Sequence, residues 1–274
     1  MTVSRLLGLC ILLLSAWPAQ ALELRGAVTQ GGFVIGRVAP EAQVSVDGQT
    51  LRLTPDGLFA FGIGRDAQGD VALTVDAQGK RKTHRLAIAP RAFAVERVDG
   101  VPQKTVVIPE AEKQRRARER AMVAEARAVS ADLTAWARGF IVPVEGARIS
   151  GVYGSQRILN GVPRWPHYGI DYAAPIGTPV KAPAAGVVRL AEADFLLEGG
   201  LIIIDHGYGV TSTLMHLNSV AVKAGDTVAQ GAVVGTVGMT GRANGPHLDW
   251  RMNVRDARVD PALVLQVKAD DWQN

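Results

Sequence analysis

Two short stretches concentrate the residues that could do chemistry, His167-Tyr168-Gly169-Ile170-Asp171 and Gly245-Pro246-His247-Leu248-Asp249. Imidazole nitrogens and carboxylate oxygens both ligate zinc, and a catalytic zinc is held by three protein groups with a further position kept for water. His167 and Asp171 are four residues apart, and the Ala173-Ala174-Pro175 that follows opposes a helix. In an extended segment such residues share a face, so both side chains reach one ion. The spacing alone has little specificity, and its weight depends on what surrounds it.

The elements that must position these stretches read as strands. Apolar runs at 187–190, 201–205, 210–215, 233–237 and 248–254 are separated by turns such as Gly199-Gly200 and Gly207-Tyr208-Gly209, which predicts a mostly antiparallel β-domain over 139–274. His206, at the end of one run, reads as a structural turn histidine. Upstream, residues 109–138 are rich in arginine. Met122, Ala126, Val129, Leu133 and Trp136 step by fours and threes, which places them on one helical face. Pro109 suits the helix start, Glu110 and Glu112 the positive end of its dipole, and Gly139 the stop. An amphipathic connecting helix over 109–138 is expected, with its arginines solvated; in a sharper reading Arg115, Arg116, Arg118 and Arg120 touch an anionic envelope polymer.

Residues 22–108 alternate short apolar runs with turn residues, and Asp47-Gly48 between two such runs is a strong hairpin signal. They predict a small antiparallel β-sandwich of immunoglobulin-like style. The fold class expected is therefore all-β with a connecting helix.

Composition sets the setting. The 274 residues are 47% hydrophobic and 20% charged, ordinary globular values with room for two domains. Residues 1–21 differ. Arg5, the apolar run 6–14 and Ala19-Gln20-Ala21 form the three parts of a secretory leader cleaved after Ala21. That apolar run is too short to span a bilayer, so a periplasmic or secreted chain without a stable membrane span is expected. The single cysteine, Cys10, lies in the leader, which leaves the exported part without disulfides or thiolate ligands. A formal charge of +4 favours anionic surfaces such as a cell wall or lipid headgroups. No aromatic-and-basic nucleic-acid motif accompanies it, and nucleic acid is not expected as a partner.

In its wider context the first stretch is more specific. His167-Tyr168-Gly169-Ile170-Asp171 is followed by Ala174-Pro175, Gly177-Thr178-Pro179-Val180 and Ala182-Pro183-Ala184-Ala185-Gly186. Then come Ile204-Asp205-His206-Gly207, Met215-His216-Leu217, Val222-Lys223-Ala224-Gly225-Asp226, and Thr240-Gly241-Arg242 leading to Gly245-Pro246-His247-Leu248. Motifs this numerous and in this order resemble the lysostaphin/LytM-type zinc endopeptidases, over roughly residues 152–265. Neither the sandwich nor the arginine-rich segment is covered.

The resemblance implies a C-terminal antiparallel β barrel-sandwich peptidase domain that cleaves peptide cross-links of bacterial peptidoglycan, with Zn2+ as cofactor and peptide stems as substrate. His167 and Asp171 match two zinc ligands, and His216 and His247 match the non-ligand histidines beside the reacting water. The third ligand is ordinarily the second histidine of a His-x-His; here that position is Asp249. A carboxylate is a legitimate zinc ligand, and four of the five positions keep the expected residue, which favours a working enzyme. The other reading is a catalytically weakened regulator that binds the wall or activates a peptidoglycan amidase, with an envelope regulatory protein as partner. Ala185-Gly186-Val187-Val188 and the 222–231 segment also resemble biotinyl and lipoyl carrier domains, but no Met-Lys-Met or equivalent lies between them, which with the leader argues against the carrier role.

Overall fold

The computed structural model describes residues 21–100 and 107–268. The leader, apart from Ala21, lies outside the described residues, and so does Cys10. Eight strands come first: β1 (Glu23–Gly26), β2 (Phe33–Arg37), β3 (Gln43–Val46), β4 (Gln49–Leu51), β5 (Leu58–Gly62), β6 (Asp70–Ala77), β7 (Lys80–Ala87) and β8 (Val95–Val98). Helix α1 (Lys113–Ala128) follows. The C-terminal part holds β9 (Arg148–Gly151), β10 (Gln156–Leu159), β11 (Val162–Pro163), β12 (Gly169–Ala173), β13 (Pro179–Lys181) and β14 (Gly186–Phe195). It continues through β15 (Gly199–Asp205), β16 (Val210–Val220), β17 (Thr227–Val228), β18 (Val233–Val237), β19 (His247–Val254), β20 (Ala257–Val259) and a terminal turn of helix, α2 (Pro261–Val264). Among the described residues no helix is long and apolar enough to cross a membrane.

Two sheets form the N-terminal part, in the orders β1-β2-β5 and β4-β3-β6-β7. Their hairpin chemistry is local: Asp47 and Gly48 both have positive φ, 48° and 80°, as a two-residue turn between strands with right-handed twist requires. Strand β6 alternates buried and half-exposed residues, the pattern of a sheet with one solvated face. By contrast, Phe33 to Gly36 and Leu58 to Phe61 are buried without alternation. Val34, Phe59 and Phe61 pack against Val44, Leu73 and Val75 of the other sheet, while Phe33, Ile35, Leu58 and Ala60 belong to the core of the C-terminal part with Trp136, Phe140, Trp250 and Met252. The β1-β2-β5 sheet is thus covered on both faces. Strand β8 also crosses over, pairing in parallel with β10.

The C-terminal part is built on a 10-stranded sheet whose main path runs β17-β14-β15-β16-β19-β12-β9. The expected helix over 109–138 is shorter than its periodicity. It ends at Ala128, and Val129 turns extended at φ −91°, ψ 133°. Trp136 is fully buried from a separate 3₁₀ turn, Ala135–Arg138. The residues between are held by tertiary bonds instead: Ser130 Oγ accepts from Gly209 N (2.7 Å), Ala131 N donates to Asp205 Oδ2 (2.7 Å), and Tyr208 N donates to the Ala131 carbonyl (3.2 Å). Beta-branched valine and serine resist a helix weakly, so these bonds decide. Met122, Val123 and Ala126 of α1 cover a second apolar cluster, Leu190, Phe195, Leu201, Ile203 and Met215.

Candidate metal centre

Strands β12 and β19 are antiparallel neighbours whose register sets Asp171 opposite Asp249 and Gly169 opposite Arg251. Side chains alternate along a strand. Leu248, Trp250 and Met252 enter the core, and Asp249 and Arg251 therefore share the other face with Asp171. His167 stands just before β12, fixed by bonds from its own N to the Ser155 carbonyl (2.8 Å) and from Gly154 N to its carbonyl (2.7 Å).

One ligand atom from each of His167, Asp171 and Asp249 lies within 4.8 Å of the others, and all three residues are buried. His167 Nε2 is 3.0 Å from Asp171 Oδ1 and 3.3 Å from Asp249 Oδ2. Its Nδ1 is 3.2 Å from the Val152 carbonyl, which can only accept, so Nδ1 carries the proton and Nε2 is left with a free lone pair. Despite the short separations, His167 Nε2 and Asp171 Oδ1 have no hydrogen-bond partner. Buried polar atoms are ordinarily satisfied. Converging, unsatisfied nitrogen and oxygen acceptors are what a divalent cation completes, and the donor set fits zinc.

Two guanidinium groups support the carboxylates. Arg157 Nη2 lies 2.6 Å from Asp171 Oδ2, and its Nε 3.2 Å from Glu96 of β8. Arg251 forks onto Asp249, with Nε 3.1 Å from each oxygen and Nη2 2.7 Å from Oδ2. Burial opposes ionisation of Asp249, yet Arg251 and His167 hold its carboxyl well below the usual range. Burial and Asp249 oppose ionisation of Asp171 in the same way, and His167 and Arg157 outweigh them. Burial pushes His167 down, and the two carboxylates carry it above its ordinary value. Close packing fixes the carboxylates sterically as well. A Cβ on Gly151 would stand 2.3 Å from Asp171 Oδ2, and one on Gly169 2.3 Å from Asp249 Oδ1.

His216 and His247 flank this group with ring centroids 4.8 Å apart. His216 sits at φ +64° within β16, a left-handed conformation that costs a non-glycine residue about 1 kcal/mol or more and is characteristic of functional positions. Its backbone N donates to the Glu198 carbonyl (2.8 Å) and its Nδ1 to the Thr240 carbonyl (2.8 Å). Thr240 is itself locked, its Oγ1 accepting from Gly200 N and donating to the Leu217 carbonyl. His247 Nδ1 donates to the Gly245 carbonyl (2.8 Å), and its Nε2 is 3.8 Å from Asp171 Oδ1. Both rings therefore keep Nε2 as the basic atom. Burial lowers His216 to about 4, with His247 acting the same way and Asp249 against it, so the ring is neutral at ordinary pH.

The five residues singled out by sequence are thus brought together, although their chain positions span eighty residues. The first four arginines of α1 divide, two paired with carboxylates and two solvated as expected. Arg116 makes a bidentate pair with Glu198 (2.7 and 2.8 Å) and also bonds Glu119; Arg115 pairs with Glu119 and Asp194. These two face the protein, where Arg116 and Glu198 are largely withdrawn from solvent and Asp194 stays exposed, while Arg118 and Arg120 are exposed. Arg251, Gly151 and Gly169 carry roles that no sequence signal marked, although Arg251 lies two residues from Asp249 on one strand face.

A family model described as Peptidase family M23 matches residues 165–261. Peptidoglycan DD-endopeptidase ShyA of Vibrio cholerae is 39% identical over 95 residues, which are 35% of this chain and 22% of that protein. DD-carboxypeptidase/endopeptidase Mpg of Neisseria meningitidis is 38% identical over 125 residues, 45% of this chain and 28% of that protein. The chain spans less than a third of the length of these curated relatives. The crystal structure of a candidate M23 peptidase from Pseudomonas aeruginosa superposes with a TM-score of 0.68 at 30% identity, covering 86% of this chain and 94% of that one, an extent that takes in the N-terminal sheets.

Proposed function

This chain belongs to peptidase family M23, and we propose that it is an exported, zinc-dependent endopeptidase that hydrolyses peptide cross-links of bacterial peptidoglycan. Its similarity to two peptidoglycan-cleaving proteins supports the substrate. The observation that carries the reading is the convergence of His167 Nε2, Asp171 Oδ1 and Asp249 Oδ2 with two of the three atoms unsatisfied. In this reading residues 1–21 are the leader, 22–108 an immunoglobulin-like sandwich, 109–138 a connecting segment and 139–274 the peptidase domain, working in the periplasm or outside the cell.

His167, Asp171 and Asp249 hold the ion. When bound, zinc supplies a Lewis acid for the scissile carbonyl and lowers the pKa of water from 15.7 to about 7. The remaining steps belong to side chains. His216 and His247 each present a basic Nε2 beside the ligand group; between them they take a proton from water and return one to the leaving amine, a contribution on the order of a hundred- to ten-thousand-fold. The carbonyls of Thr240 and Gly245 fix the tautomers that make this possible. Arg157 and Arg251 keep both ligand carboxylates ionised and offset their charge, so two carboxylates need not quench the ion's acidity.

Elemental analysis and a hydrolysis assay test the reading together. One zinc per chain, release of soluble fragments from cross-linked peptidoglycan, loss of release with a chelator and its return with zinc are expected. Zinc-saturated protein that releases nothing would leave the regulator in its place.

A further inference from the structure

Where the N-terminal sheets, α1 and the β19–β20 hairpin meet, the fold leaves a cavity of about 640 Å³. Its wall includes Arg52, Arg127, Asn253, Arg255 and Arg258, and Asp256 is the only carboxylate among its lining residues. Arg52 is engaged, its Nη1 2.9 Å from Asp132. Arg255 gives one bond to the Thr50 carbonyl (3.0 Å), and Arg258 lies over the Tyr168 ring at 4.3 Å; among the described residues neither pairs with a carboxylate.

Arg127 is the anomaly. Its Nη2 donates to Thr213 Oγ1 (2.9 Å), while its Nε is buried with no hydrogen-bond partner. Burial lowers its proton affinity, to about 10, and Arg258 and Arg251 act in the same direction. Glu198, which opposes them, is already forked by Arg116. A buried guanidinium without a carboxylate of its own is costly, and a cationic cavity of ligand size is where an anion repays that cost.

We propose that this cavity binds a phosphate monoester, held by Arg127, Arg255 and Arg258. A carboxylate offers two oxygens and one charge, too little for three guanidinium groups. A phosphate monoester offers three acceptor oxygens and a charge of about −1.5 to −2, and arginine forks match its geometry. The apolar part of the wall, Leu51, Ala60 and Ala124, suits the carbon skeleton of the ester. Two sources share this chemistry, a soluble sugar or glycerol phosphate and a lipid headgroup.

Isothermal titration of the zinc-loaded full chain with glycerol 3-phosphate, at constant ionic strength, tests the site. Saturable binding is expected, weakened at least tenfold in Arg127→Gln and in Arg258→Gln; Arg258 is exposed, so its variant folds even if the first does not. Co-sedimentation with vesicles of phosphatidic acid but not of phosphatidylcholine, lost in both variants, assigns the ester to a lipid headgroup, and titration without co-sedimentation assigns it to a soluble molecule. Absence of saturable binding in both assays, or equal affinity in wild type and variants, as a phosphate held only by the zinc would give, overturns the proposal.

Discussion

Asp171 and Asp249 stand directly opposite one another on neighbouring antiparallel strands, where like charges repel. Arg157 takes one of them and Arg251 the other, and His167 lies between. Asp249 is therefore half of a pair with Arg251. Its consequences follow from what Arg251 loses when the carboxylate goes.

Asp249→His should still bind one zinc per chain but leave Arg251 without its partner beside a buried site, at a cost of about 2 kcal/mol, less than a fully buried pair because Arg251 is partly exposed. Asp249→His/Arg251→Gln should recover most of that loss. Urea unfolding of the three proteins checks this; a double variant no more stable than the single one would show that the pair does not govern the site.

Gly169→Ala and Gly151→Ala place a methyl group 2.3 Å from the oxygens of Asp249 and Asp171, too close to be accommodated without moving a carboxylate. Each should weaken zinc binding at least tenfold in a competitive chelator titration while far-ultraviolet circular dichroism stays unchanged. Unaltered affinity would mean that the carboxylates are not held where they must act.

Arg116→Ala removes the fork on Glu198, whose carbonyl holds the backbone of His216 in its left-handed conformation. Hydrolysis should fall in kcat by about tenfold, a part of the hundred- to ten-thousand-fold that a positioned general base contributes, with KM and zinc content unchanged. Arg118→Glu/Arg120→Glu, on the exposed side of α1, should leave kcat as it was. A loss of zinc in Arg116→Ala would point to a general structural role.

His206 gives a pH signature. It is buried, with Nδ1 on the Ala185 carbonyl (2.9 Å) and Nε2 on Ser212 Oγ (2.8 Å), and burial lowers it to about 4 from 6.5, the Ala185 bond and Asp205 acting weakly against it. Since the folded value is below the unfolded one, its contribution is complete above pH 6.5 and is lost as pH falls towards 4, amounting to about 3 kcal/mol. His206→Asn should therefore show a shallower decline of stability across that window, measured as the difference in melting temperature from wild type at each pH.

Much of the candidate site was legible because His167, Asp171, His216, His247 and Asp249 fall in short motifs whose number and order are specific together. His206 was legible too, as a histidine closing an apolar strand. The supporting arginines were not, because Arg157 reaches Asp171 of β12 from β10, a strand of another sheet, and meets Glu96 through the parallel pairing of β8 with β10, which no local period encodes. The helix was overextended for a related reason: Val129, Leu133 and Trp136 keep the helical spacing, but the loop at 207–209 claims the Ser130 hydroxyl and the Ala131 carbonyl. Unbroken apolar runs at 33–36 and 58–61 did carry a signal, two-sided burial, which an isolated sandwich does not need.

That two-sided sheet fixes the size of the cooperative unit. With Phe33 and Ile35 in one core and Val34 and Phe61 in the other, neither half can melt without uncovering the other. The described parts should unfold in a single transition, with calorimetric and van't Hoff enthalpies in agreement. A truncation that removes the first sheet would yield an aggregation-prone remnant in place of a smaller enzyme.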